Sequence, residues 1–263
     1  MKISYIFIFS ALWLVACKNN TATDIPIEDT TVITNHPLYV EAMESAHKKK
    51  EFLKKESICF NLELQFGKSK SVQKIFTTPN SSAIRVEKKD GTVTVVNNGR
   101  IFTNAEQEKW PNEQFGVYTY QYFFMLPYKL SDEGTKWTKL ENITMDGTSY
   151  ECAELSFTDG TGDAPDDWYT VHPNPETNLI DIVGYIVTGG SRTVEEAEKN
   201  AHAIMYKKYQ ITDGVPISRQ WEFYEYNKSD GISDKIGEAT LKNVIFMDNI
   251  DNTYATDDLV EIK

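Results

Sequence analysis

Basic charge is the first thing this sequence lacks. Its 39 acidic side chains face 27 lysines and arginines, for a net charge of −12. So acidic a chain has no surplus of cations to displace counterions from a nucleic-acid backbone, which excludes nucleic acid as a partner. The one basic run, Lys48-Lys49-Lys50 with Lys54-Lys55, falls in a predicted helix and reads as a solvated face. No HExxH, P-loop, GxGxxG or GxSxG pattern occurs, so the usual signatures of metalloprotease, nucleotide and serine-hydrolase chemistry are missing. The four histidines, His36, His47, His172 and His202, are too widely spaced for paired metal ligation. On these grounds the expectation is a non-enzyme without a cofactor. Cysteine is scarce as well: Cys17, Cys59 and Cys152 are all there is. No apolar run reaches the ~20 residues of a membrane-spanning helix.

What is present begins at the N-terminus. Lys2 is followed by an apolar run over 3–15, interrupted by Ser4 and Ser10. Its length fits the roughly 7–15 residues of a signal-peptide core. The run ends Leu14-Val15-Ala16-Cys17, which resembles the lipobox of bacterial lipoproteins. That resemblance implies a signal peptide over 1–16, acylation of Cys17, and a membrane partner held through the N-terminal lipid. Two or three acyl chains anchor stably, at ~0.8 kcal/mol per buried methylene. Residues 17–36 are polar and aperiodic, and read as a flexible tether. Lys18 is not the aspartate of inner-membrane retention, and no acidic cluster directly follows Cys17. Both point to the periplasmic face of the outer membrane. In that compartment Cys59 and Cys152, each in a predicted strand, are able to pair, and the sequence leaves open whether they do.

Beyond the tether, the pattern predicts a single domain over 37–263. A helix is expected over 37–55, with Pro37 in its first turn and Leu38, Ala42, Ala46 and Leu53 as a loose apolar stripe. Strands follow. Ile58, Phe60, Leu62 and Leu64 alternate with Cys59, Asn61 and Glu63, the period-2 pattern of a half-buried strand over 58–66. Further strands are predicted over 83–87, 92–96, 137–144, 150–157, 168–172, 179–187, 204–211, 217–226 and 239–246. Asp90-Gly91, Asn98-Gly99, Asp146-Gly147 and Asp213-Gly214 supply turns. No long helical segment separates the strands, so the expected class is mainly β (α+β). The expected architecture is a curved antiparallel sheet or unclosed β-barrel, with the N-terminal helix and short covering helices. One cover is the aromatic segment 115–130, apolar nearly all round, lying across the hollow of the sheet. A short exposed helical turn is expected over 193–200.

The order of these elements, the stretch Tyr122-Phe123-Phe124-Met125-Leu126-Pro127-Tyr128-Lys129-Leu130, and the loop Gly162-Asp163-Ala164-Pro165-Asp166-Asp167-Trp168-Tyr169 followed by Asn174-Pro175-Glu176-Thr177 carry a family likeness. The chain resembles Bacteroidota lipoproteins of unassigned function related to the LolA/LolB-like outer-membrane lipoprotein-sorting proteins. The resemblance implies a half-barrel whose cavity accepts an acyl chain or other apolar ligand. Tyr118, Tyr122, Phe123, Met125 and Leu126 are the candidate lining, the competing reading being that they simply fill the core. Two alternatives stand beside this carrier. One is an interaction component of an envelope or polysaccharide-uptake assembly, with an envelope protein as partner. The other is a hydrolase using Asp163 and Asp167. Asp159, Asp163 and Asp167 also form a weak calcium candidate, lacking the glycine and the closing glutamate of a helix-loop-helix calcium loop.

Overall fold

The computed structural model describes residues 37–189 and 192–262. The predicted tether and Cys17 lie outside them. Two short helices, α1 (Leu38–Ala46) and α2 (Lys49–Phe52), precede a meander of five strands: β1 (Ser57–Phe66), β2 (Ser69–Thr77), β3 (Ala83–Lys88), β4 (Val93–Asn97) and β5 (Arg100–Thr103). The long helix α3 (Trp110–Met125) follows, then β6 (Thr135–Lys139) and the hairpin β7 (Ile143–Met145) and β8 (Thr148–Tyr150). A second meander runs through β9 (Ala153–Phe157), β10 (Tyr169–Pro173), β11 (Ile180–Tyr185), β12 (His202–Thr212), β13 (Val215–Asn227) and β14 (Gly231–Met247). Helix α4 (Val194–Glu198) lies between β11 and β12, and β15 (Val260–Glu261) ends the order.

Thirteen strands form one antiparallel sheet in the order β15-β5-β4-β3-β2-β1-β14-β13-β12-β11-β10-β9-β6. Nearly every neighbour is next in sequence. The exceptions are made by chain returns, above all β1 against β14, which joins the first meander to the second. The sheet is not closed: β15 and β6 are its edges. Bulges let so long a sheet curve. At Asn243, φ +52° absorbs the register shift between Cys59 and Asn61, and Lys208, at φ +53°, interrupts the β12–β13 pairing between Lys207 and Tyr209.

The alternation read in β1 sorts its side chains between the two faces. Ile58, Phe60, Leu62 and Leu64 enter the main core with α3, whereas Cys59 joins Phe76, Ala83, Val95 and Tyr254 in a separate cluster. Helix α3 lies on the main-core face, with Val117, Phe123, Phe124 and Met125 buried there. Phe124 stacks on Phe60 with ring centroids 4.4 Å apart, and Phe123 meets Tyr185 at 4.8 Å. A third cluster, Trp168, Ile182, Ala197, Ala203 and Tyr226 among others, packs α4 and the β7–β8 hairpin onto β11–β13.

Several expectations are corrected. The helix foreseen over 37–55 is two helices, broken at Lys48, whose φ of 58° is left-handed. The break lets His47 point inward, where its Nε2 accepts the Ile180 N–H at 3.0 Å. The strand expected over 137–144 divides into β6 and β7, and that over 150–157 into β8 and β9. Cys59 and Cys152 are both free. Five strands lie between β1 and β9, next to which Cys152 sits. At ~4.8 Å per strand that separation far exceeds the ~6 Å between bridged Cα atoms.

Candidate functional site

Helix α3 is the element that makes a site. Pro111 occupies its first turn, where a missing N–H costs nothing. Glu113 pins that end to the sheet: its carboxylate, buried, accepts Lys88 Nζ at 2.6 Å and Thr94 Oγ1 at 2.9 Å. At the other end Leu126–Tyr128 form a 3-10 turn containing Pro127, which cannot continue the α-helical ladder. Tyr128 then stacks face to face on Phe52 of α2, ring centroids 3.6 Å apart.

Between α3 and the β9–β11 side of the sheet the hollow is incompletely filled. A cavity of about 410 Å³ remains, open to solvent. Its apolar wall is Phe115, Tyr118, Tyr122 and Phe123 from α3, faced by Phe157, Tyr169, Tyr185 and Val187. The turn after α3 contributes Lys129, Asp132, Glu133 and Thr135, and the β9–β10 loop contributes 161–164 and Asp167. These two rims approach closely at Gly134. A Cβ there would collide with Thr161 Oγ1, and φ of +86° suits glycine alone. The first rim is latched to the N-terminal helices. Glu44 accepts the Ser131 N–H and hydroxyl at 2.8 Å each, and Lys49 Nζ reaches Glu44 at 2.7 Å.

The five lining candidates therefore separate. Tyr118, Tyr122 and Phe123 line the cavity; Met125 and Leu126 do not. Both of the latter are 0% exposed and belong to the main core, Met125 as the last residue of α3 and Leu126 as the first of the 3-10 turn. Sequence reasoning missed Phe157, Tyr169, Tyr185 and Val187. Each sits in or beside a strand remote in sequence from α3, so no local pattern marks it as lining. Phe115, 47% exposed at the cavity edge, lies in the aromatic segment but was not singled out.

Burial dominates the polar chemistry around the cavity. Burial raises the Tyr122 hydroxyl far above its ordinary value, and the nearby Asp132 and Asp167 add to the effect. Tyr118 is raised by burial and by Asp163. Asp167 is itself raised by burial, although it accepts the Thr188 N–H and hydroxyl at 2.7 Å each. That engagement fastens the 161–167 loop to the end of β11. The calcium expectation is corrected: among the described residues no group of three or more acidic, histidine or cysteine side chains is placed to hold a metal, so Asp159, Asp163 and Asp167 do not form such a site. Burial pushes the Cys152 thiol up to about 12, and His172 Nε2 lies 3.8 Å from its sulfur.

No family model matches the chain, and no curated protein matches it in sequence. Solved structures do match in shape. A LolA superfamily protein from Nitrosomonas europaea superposes with a TM-score of 0.52 at 10% identity, over 82% of this chain and 98% of that one. The fold is LolA-like. A putative outer membrane lipoprotein-sorting protein domain from Vibrio parahaemolyticus gives 0.49 at 11% identity, over 80% and 94% of the two chains. A DUF1329 family protein from Desulfovibrio piger gives 0.49 at 10%, over 82% and 96%. At such identities the LolA-like likeness speaks for the architecture of sheet and covering helices, and the cavity must be read from this chain's own residues. Among the described residues no helix is long and apolar enough to cross a membrane.

Proposed function

We propose that the protein is a lipid-anchored carrier or receptor that holds an apolar ligand, an acyl chain or lipid, between α3 and the sheet, without chemistry. The observation that carries this reading is the cavity. Its volume of about 410 Å³ lies within the ~300–1,000 Å³ of small-molecule sites, and aromatic side chains dominate its wall. Apolar surface placed there leaves water at ~25 cal/mol per Å². A rigid floor supports it, since Phe123 is wedged against Tyr185 and Phe223. Titration with a fluorescent fatty-acid analogue tests the reading when lining and core are varied separately. Tyr118→Asp with Tyr122→Asp should abolish binding while the fold survives. Met125→Ala should leave affinity within about twofold but lower stability by ~2–5 kcal/mol, the range for truncating a buried methionine. Binding unaltered by the two aspartates would refute the site.

The anchor belongs to the same reading. Cys17, behind the apolar run over 3–15, would carry the lipid and hold the protein at the periplasmic face of the outer membrane. Labelled palmitate should enter the protein and fail to enter Cys17→Ala. Equal incorporation by the two would remove the anchor.

A further inference from the structure

The rim of the cavity is unbalanced in sign. Asp132, Glu133, Asp163 and Asp167 line it, against a single lysine, Lys129. That lysine is already bound to Asp132 at 3.2 Å, and Asp132 also takes Lys49 at 3.3 Å. The Glu133 side chain has no hydrogen-bonding or ionic partner among the described residues. Among the described residues Asp163 receives only the Gln114 amide, at 3.3 Å. Two carboxylates thus face the opening uncompensated. Behind them the wall offers aromatic faces and unused hydroxyls. Tyr169 and Tyr185 are 7% and 5% exposed, yet neither hydroxyl has a protein hydrogen-bond partner among the described residues. Both residues line the cavity, so the partner of either hydroxyl comes from within it, from solvent or from a bound polar group. A site for fatty acids or phospholipid anions would place cations at this mouth. Carboxylates and aromatic faces together are what an ammonium group is attracted to.

We infer that the cleft selects amphiphiles with a cationic head, an alkylammonium, over anionic amphiphiles of the same chain length. The inference rests on the apolar-ligand reading and narrows it. The test is calorimetric titration of the protein, below micellar concentrations, with three twelve-carbon probes: dodecyltrimethylammonium, dodecanoate and neutral monolaurin. The cation should bind about tenfold tighter than dodecanoate, as expected for two carboxylates in a partly wet site. Glu133→Gln with Asp163→Asn should shrink that ratio to below about threefold. Asp234→Asn with Glu195→Gln removes the same charge from exposed positions away from the cleft and should leave the ratio intact. Equal binding of the two ions, a preference for dodecanoate, or an equal loss of preference in the surface control would overturn the inference. In each of those cases binding of monolaurin leaves the apolar-ligand reading standing. Failure of all three probes to bind would bring down that reading and this one together.

Discussion

Adjacent side chains on α3 divide the labour of the site. Tyr122 lines the cavity, Phe123 is shared between wall and core, and Met125 and Leu126 are sealed below. The sequence shows an aromatic run without a polar face, so it predicts burial on several sides but cannot say which side stays open. Two of the four histidines, His47 and His172, are fully buried, which their spacing in the sequence does not reveal. Burial lowers the His47 imidazole to about 3 and that of His172 to about 4. An unfolded histidine takes its proton near pH 6.5, so below that pH the unfolded chain binds protons that the native state refuses. The stability these residues contribute is complete above about pH 6.5 and is lost as pH falls toward 4 and 3. Each histidine supplies a slope of up to ~1.4 kcal/mol per pH unit. Asp167 and Asp181, raised by burial, act in the opposite sense at the lower end of the window. Denaturant midpoints measured at pH 7.5 and 5.5 should therefore fall on acidification. His47→Gln, which can still accept the Ile180 N–H, should fall less; an equal drop in the variant would show that His47 is not a source of the loss.

Among the elements, those with strict alternation were legible and those without it were not. β1 runs Ser57–Phe66 where 58–66 was expected, and β11 to β13 occupy the segments assigned to them, whereas β14 begins at Gly231, ahead of the 239–246 expected. β2 was missed because its start, Ser69-Lys70-Ser71, is exposed and polar, and its apolar residues Val72, Ile75 and Phe76 do not alternate. β5 is four residues long and begins inside what reads as a turn, Asn97-Asn98-Gly99-Arg100. α3 starts at Trp110, earlier than the aromatic run suggests, because its first turn is positioned by Glu113 rather than by apolar contacts. That anchor is open to test. Lys88→Met leaves the buried Glu113 carboxylate with Thr94 alone, at a cost of ~1–3 kcal/mol. Glu113→Gln added to Lys88→Met should restore part of the loss, as thermal unfolding would show. A Lys88→Met protein as stable as the parent would mean the pair does not hold the helix.

For the whole molecule, class and curvature followed from composition and turn spacing, whereas the site depended on chain returns. β1 pairs with β14 across nearly the full chain, and that pairing sets the two meanders side by side as one sheet. The cavity then takes one wall from α3 and the other from β9 to β11, segments that meet only in the folded state. This is why Tyr118, Tyr122 and Phe123 were foreseeable as a group while Phe157, Tyr169 and Tyr185 were not. The same separation across the sheet keeps Cys59 and Cys152 apart, leaving packing and hydrogen bonds to hold the sheet. The central claim is that the space beneath α3 exists to be filled. Native mass spectrometry of the protein, exchanged out of detergent and incubated with a total envelope lipid extract, addresses it most directly. The account predicts a complex with one apolar molecule per chain, displaced by excess fluorescent fatty-acid analogue and absent from the Tyr118→Asp, Tyr122→Asp protein. A mass equal to the ligand-free chain under every condition would contradict it.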